Sequence, residues 1–206
     1  MLLYTLLIAS YLLGSIPAAI IIGKIFFGID IRKHGSLNPG ATNSIRVLGK
    51  KAGLAVLIFD IGKGSLAAAL PLLLHQDIDP IYTGLAAVIG HCFPIFAGFR
   101  GGKAIATTAG MLIVANPIMF LIVYLTFIAV IWITKYVFFG SISVGVTILL
   151  YAFFDASVEH ELIFIIYLLL LIYLHRSNII NFINQQEPKI NDKTIKKDRI
   201  GPKKIS

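Results

Sequence analysis

Two stretches of this chain mix small residues with cations in a pattern that suits an oxyanion. The first carries Gly35, Ser36, Asn38, Gly40, Thr42 and Asn43, followed by Arg46. Glycines and short polar side chains permit a tight loop with inward-turned backbone N–H groups. A planar guanidinium matches phosphate with paired hydrogen bonds. Composition alone leaves two readings open here, an anion site or a merely polar loop. The second stretch runs from Gly90 and His91 through Pro94 to Gly101, Gly102, Lys103 and Thr107. Lys103 stands where a helix is expected to begin, and a helix N-terminus offers N–H groups and the positive end of a dipole to phosphate. That is the physical logic of a Walker loop without its spacing. His91 is either a hydrogen-bonded structural residue or a participant in the chemistry.

Further polar groups accompany these loops. Asp60 and Lys63 stand three residues apart in an apolar run, on one helix face, where they can pair. They either neutralise each other structurally or extend a cationic cavity. His175, Arg176 and Asn178 close the last apolar run, with Glu187 downstream. The single cysteine, Cys92, excludes an intramolecular disulfide and any all-cysteine metal site. No Ser-His-Asp arrangement is visible, and no metal or cofactor is expected.

These residues need elements to hold them, and the composition says which kind. Of the 206 residues, 57% are hydrophobic and only 14% charged, with mean hydropathy +0.87. A soluble domain carries roughly a quarter charged residues, so the solvent for this chain is lipid. A crossing helix needs about 20 apolar residues. Seven runs qualify as transmembrane helices, at 2–23, 53–74, 81–99, 104–115, 118–134, 136–154 and 162–174. Those at 104–115 and 162–174 are short. The first lacks a basic region ahead of it, since the first positive charge is Lys24, and reads as a retained span rather than a secretory signal. Asn116-Pro117 separates the fourth run from the fifth. No strand alternation argues for a barrel, and no internal repeat of transporter type is apparent. The expected fold class is an all-α integral membrane protein of seven transmembrane helices.

Charge supports that count. If the seven helices alternate, 17 of the 18 Lys and Arg residues fall on one side of the membrane, and the eighteenth is Lys63. The opposite connections hold no Lys or Arg and five of the ten acids. The positive-inside rule then puts the N-terminus outside, and the C-terminus and all three polar clusters at the cytoplasmic face. The helical domain is expected over 1–187, with a basic, flexible cytoplasmic tail over 188–206 that is attracted to anionic lipid. The tail has no aromatic interleaving or known module that would suit nucleic acid.

In this order and at these helix ends, the residues resemble the bacterial acyl-phosphate:glycerol-3-phosphate acyltransferase family over nearly the whole chain. The resemblance covers Gly14, Ser15, Ile16 and Pro17, then Gly35, Ser36, Asn38, Gly40, Thr42, Asn43 and Arg46. It continues through Asp60, Lys63, Gly64, Gly90, His91, Pro94, Gly101, Gly102, Lys103, Ala106 and Thr107 to His175, Arg176 and Asn178. It implies a seven-helix enzyme of the bacterial plasma membrane that needs no cofactor. Such an enzyme transfers a fatty acyl group from acyl phosphate to glycerol 3-phosphate, giving lysophosphatidate and phosphate. The implied partners are those two substrates, membrane lipid and a transient contact with the enzyme that makes acyl phosphate. The implied catalytic residues are Ser36, Arg46, His91, Lys103, His175 and Asn178. Substrate binding falls to Asn38, Gly40, Thr42, Asn43, Gly101, Gly102 and Ser141, with Asp60, Lys63 and Glu187 as support. Four positions depart from the family pattern: Leu37 and Ala104 replace glycines, Phe138 a serine and Asn181 an arginine.

The simplest chemistry is direct attack by the glycerol 3-phosphate C1 hydroxyl on the activated carbonyl, with cations and N–H groups holding both phosphates. The proton acceptor is the departing phosphate, His91 or His175. Two rivals stand against this reading. A phosphate or solute transporter would need a polar path through the midplane, where only Asp60 and Lys63 lie. A family member that kept the fold and lost activity is the other, suggested by Leu37 and Phe138.

Overall fold

Inside lipid, a segment satisfies its own backbone only as a helix or within a closed barrel, and every apolar run here becomes helical. The computed structural model describes residues 1–155, 160–192 and 197–203. Its ten α-helices are α1 (Leu2–Gly14), α2 (Ala18–Phe27), α3 (Ala41–Val47), α4 (Lys50–Leu73), α5 (Pro80–Cys92), α6 (Ile105–Ala115), α7 (Pro117–Thr134), α8 (Val137–Phe154), α9 (Glu161–Leu174) and α10 (Arg176–Ile183).

Three expected spans prove less simple than their hydropathy. The run at 2–23 is interrupted between α1 and α2, because Pro17 cannot supply an N–H to a continuous ladder. It also runs on to Phe27, where Gly28 stops it in the left-handed region at φ 70°. The run at 81–99 stops as a helix at Cys92, since Pro94 disfavours helix at Phe93, and a short 3-10 turn follows at Ile95–Ala97. The last run continues past His175 into α10 with a bend of 52°, at the point where the sequence turns polar.

Among the described residues, five helical stretches are long and apolar enough to cross a membrane. The bent pair of α9 and α10 makes a sixth if counted as one span. Helix α6, with 11 residues, reaches about 16 Å, short of the roughly 30 Å hydrocarbon core.

Contacts divide the chain into two compact units, Met1–Ala115 together with Lys193–Ser206, and Asn116–Asp192. The tail expected to be flexible contributes its described residues, 197–203, to the first unit, where Ile200 packs against the buried cluster of Ile20, Ile31, Val47 and Val56. An isoleucine gains by leaving water even inside a basic segment.

The first unit is held by helix crossings that only glycine permits. A Cβ on Gly14 would lie 2.1 Å from the Ala87 carbonyl oxygen, and one on Gly90 would lie 2.2 Å from that of Tyr11. Helices α1 and α5 therefore touch backbone to backbone. Gly64 and Gly110 do the same for α4 and α6, against Thr107 and Ile61. Close approach through small residues is how helices gain contact where lipid supplies no hydrophobic drive.

In the second unit, α7 fully buries only Met119 and Val123, half-buries Phe127 and Ile131 against Gly140 of α8, and exposes Leu121, Leu125, Ile128 and Trp132. Tyr136, Phe138, Phe139 and Phe182 stack where α8 begins and α10 ends, with ring centroids 4.2 Å apart for Phe138 and Phe139 and 5.0 Å for Phe139 and Phe182. Phe138, one of the four departures, is a buried member of that cluster.

Candidate active site

The loop between α2 and α3 is organised by one buried amide. Asn43 accepts the Ser36 N–H at 2.9 Å and donates to the His34 carbonyl at 3.0 Å. Gly35 crosses this amide at φ 58°, where a Cβ would lie 2.4 Å from Asn43 Oδ1. Asn43 was expected to bind substrate, but its amide is spent on the loop's own backbone. Ser36 and Thr42 are exposed beside it, and Asn38 lies over Gly40. Leu37 takes the left-handed region at φ 62° with its side chain 60% exposed. A residue without a Cβ is favoured there.

A second tie was missed in the sequence. The Asp30 carboxylate caps the turn at Ile31–Lys33 by accepting the Arg32 N–H at 3.0 Å, and it accepts again from the Arg32 guanidinium at 2.7 Å. The remaining edge of that guanidinium donates to the Ala97 carbonyl at 2.7 Å. Arg32 thus fastens the first loop to the segment after α5. The guanidinium holds the Asp30 carboxyl down at about 2, and the carboxylate raises the Arg32 pKa in return. The i, i+2 spacing of an acid and an arginine was the available signal.

The second loop is set by close contact at its glycines as well as by the Arg32 and Tyr11 side chains, which donate to the Ala97 and Phe93 carbonyls. Asp60 on α4 accepts from Lys63 Nζ at 2.8 Å and lies 3.4 Å from Nδ1 of His91 at the end of α5. All three groups are buried, and Lys63 also donates to the Ile16 carbonyl beside the α1–α2 break at 3.1 Å. His91 in turn shapes the glycines. A Cβ on Gly101 would lie 2.0 Å from the His91 carbonyl oxygen, and one on Gly102 would lie 2.1 Å from His91 Nε2.

Gly101 and Gly102 were expected to offer their N–H groups to phosphate. Instead, Gly101 donates to Cys92 at 3.1 Å and Gly102 to His91 at 3.0 Å. They are small so that the loop can close on the imidazole. Ala104 follows in the left-handed region at φ 73°, so both glycine-to-larger departures fall on left-handed backbone. A small cavity is lined by Pro39 of the first loop, by Gly101 and Gly102 of the second, and by Asp60, Lys63 and His91. The two loops share its wall.

In the second unit, Asn178 donates to the Glu187 carboxylate at 2.6 Å. Buried His175 places Nδ1 2.9 Å from the Leu171 carbonyl oxygen. A carbonyl only accepts, so Nδ1 carries a hydrogen. Ser141, also buried, donates its hydroxyl to the Val137 carbonyl at 3.1 Å. A roomier cleft in this unit, lined by Ile122, Tyr151 and Asp155, contains none of the candidate site residues.

A model of the family described as glycerol-3-phosphate acyltransferase matches residues 4–185. The chain belongs to that family. A glycerol-3-phosphate acyltransferase of Bacillus cereus strain G9842 is 50% identical over 192 residues, covering 91% of this chain and 95% of the relative. That of Bacillus subtilis strain 168 is 46% identical over 190 residues, covering 92% and 98%. The crystal structure of the integral membrane glycerol 3-phosphate acyltransferase PlsY (YgiH), in its glycerol 3-phosphate form, superposes with a TM-score of 0.84 at 36% identity. It covers 92% of this chain and 96% of its own. The lysophosphatidic acid form of PlsY gives 0.81 at 34% identity. With its apolar helices, this acyltransferase family member is a multi-pass membrane protein. The family match ends before Glu187 and the tail.

Proposed function

We propose that this chain transfers a fatty acyl group from acyl phosphate to the C1 hydroxyl of glycerol 3-phosphate, releasing lysophosphatidate and inorganic phosphate. The observation that carries the reading is the family match over 4–185, joined to two loops that share one cavity wall and bear Arg46 and Lys103. Relatives named for this acceptor, and a PlsY structure in its glycerol 3-phosphate form, support it.

The hydroxyl oxygen forms the new ester bond as the bond between the acyl carbon and the phosphate oxygen breaks. The hydroxyl proton passes to the departing phosphate, so the step balances without an external base. That route suits the geometry of His91, whose imidazole is enclosed by Asp60 and Gly102 and orients the second loop. Arg46 and Lys103 hold the two phosphorylated groups and stabilise charge on the carbonyl oxygen and the leaving phosphate. Ser36, Asn38, Gly40 and Thr42 line the acceptor side, and the family resemblance also assigns Ser141, His175 and Asn178 to catalysis and substrate binding. Holding both reactants supplies much of the acceleration, because the donor is already activated.

The topology we assign has seven crossings, with α6 as a short, partly buried one, the N-terminus outside and the basic loops in the cytoplasm of a bacterial plasma membrane. Purified protein in detergent, given acyl phosphate and glycerol 3-phosphate, should release phosphate and lysophosphatidate in equal amounts. Phosphate release that does not depend on glycerol 3-phosphate would reject the acceptor. No release at all would reject the enzyme reading.

A further inference from the structure

The tail beyond the family match returns to the first unit and places an acid on the cation that the chemistry needs. Asp198 Oδ2 accepts from both Nε and Nη2 of Arg46, the paired edge of the guanidinium that suits a phosphate. Three neighbouring contacts seat it there. The Ile200 N–H donates to the Val47 carbonyl at 2.8 Å, and the Lys203 N–H donates to the Phe26 carbonyl at 2.9 Å. The Ile200 side chain packs on the buried cluster beneath the first loop. Beyond residue 188 the sequence holds seven Lys and Arg but only two acids, Asp192 and Asp198. A basic segment laid against a basic loop is repelled, and Asp198 supplies the opposite charge where it meets Arg46.

We propose that residues 197–203 form an inhibitory strap whose Asp198 occupies the Arg46 oxyanion seat, so that glycerol 3-phosphate or another phosphate must displace it. This inference rests on the reading of Arg46 as a phosphate ligand. The strap is built to yield. Side-chain exposures of 24% for Arg46 and 35% for Asp198 leave the pair in contact with water, where ion pairs are weak and salt-screened. A dianionic ligand with several acceptor oxygens outcompetes one carboxylate. Apparent affinity for the acceptor is then reduced by the fraction of molecules whose strap is undocked.

Two variants and two readouts test this. Asp198→Asn removes the competing charge, and Ile200→Asp undocks the strap while leaving Asp198 in place. Each should lower KM for glycerol 3-phosphate by about three- to five-fold, the range expected of a partly exposed pair, with kcat changed by less than about two-fold. In the full-length wild-type protein, saturating inorganic phosphate should speed trypsin cleavage after Arg199 several-fold. In the variants that site should be cut quickly without phosphate.

An unchanged or raised KM in both variants would overturn the strap, since it would make Asp198 neutral or a positioning partner of Arg46. Cleavage indifferent to phosphate would overturn it equally. The cleavage arm needs no turnover, so a protein that is inactive toward acyl phosphate, yet shows phosphate-dependent release of the strap, would sink the enzyme reading alone.

Discussion

The two loops of the first unit reach similar ends by different means. The loop around residue 43 is tied by side chains reaching backbone, with Asn43 and Arg32 each binding carbonyls they could lose to water. The loop around residue 102 is shaped chiefly at its tip by the lack of a Cβ, with two glycines closed onto His91 over the buried Asp60 and Lys63. A loop tied by hydrogen bonds gives by degrees, and it tolerates Leu37 at a left-handed position with the side chain in solvent. A loop shaped by contact has no slack, and there even one methyl group displaces the lysine that follows. The difference teaches that the lysine loop is the rigid half of this region and the arginine loop the adjustable half, which is also the half that the tail engages.

Lys103→Ala and Arg46→Ala bracket that comparison and carry the largest expected effect. Each should cut turnover by about 10²- to 10³-fold with membrane insertion intact, as followed by phosphate release from purified protein. Near-normal rates in both would end the assignment of these cations. Gly102→Ala comes next. Its Cβ would overlap the imidazole, and a displacement of roughly 1 Å at Lys103 should cost about 100-fold in kcat/KM. Asn43→Ala, in the adjustable loop, should cost only about 1–3 kcal/mol in stability and raise KM for glycerol 3-phosphate more than it lowers kcat. If the two substitutions prove equally damaging, the contrast between the loops fails.

The smallest effect is a gain. Leu37→Gly relieves a left-handed φ worth about 1–2 kcal/mol, offset by about 0.4–1 kcal/mol of added unfolded-chain entropy. Thermal unfolding should move upward by a few degrees or less. A clear fall in melting temperature would mean that the Leu37 side chain makes a contact worth keeping.

The pH behaviour separates the loops again. The Asp30 carboxyl is lowered by Arg32, so its contribution to stability is complete above the usual carboxylate range and is lost as pH falls toward about 2. Any decline in activity between about pH 7 and 5 therefore belongs elsewhere. The substrate phosphates, with a second pKa near 6, are the natural source. A melting temperature that already falls between pH 7 and 5 in wild type, but not in Asp30→Asn, would reverse this.

Much of the molecule was legible in advance because hydropathy is a local property. A run such as 118–134 has no stable alternative to a helix in lipid, and α7 appears as Pro117–Thr134. The spacing of Asp60 and Lys63 on one helix face likewise foretold their ion pair. The interruptions at Pro17 and Pro94 were harder, because apolar residues on both sides mask a proline in any averaged window.

What the amino-acid order determined by itself was the run of apolar helices and the gathering of glycines and cations in two of their connections. Tertiary structure alone decided how each residue in those loops is used. Gly101 and Gly102 turn their N–H groups to α5, Asn43 binds its own loop, and Asp198 crosses from the tail to Arg46. Each of these choices depends on which backbone oxygen or cation stands within about 3 Å. That distance joins positions far apart in the chain and leaves no mark on composition or period.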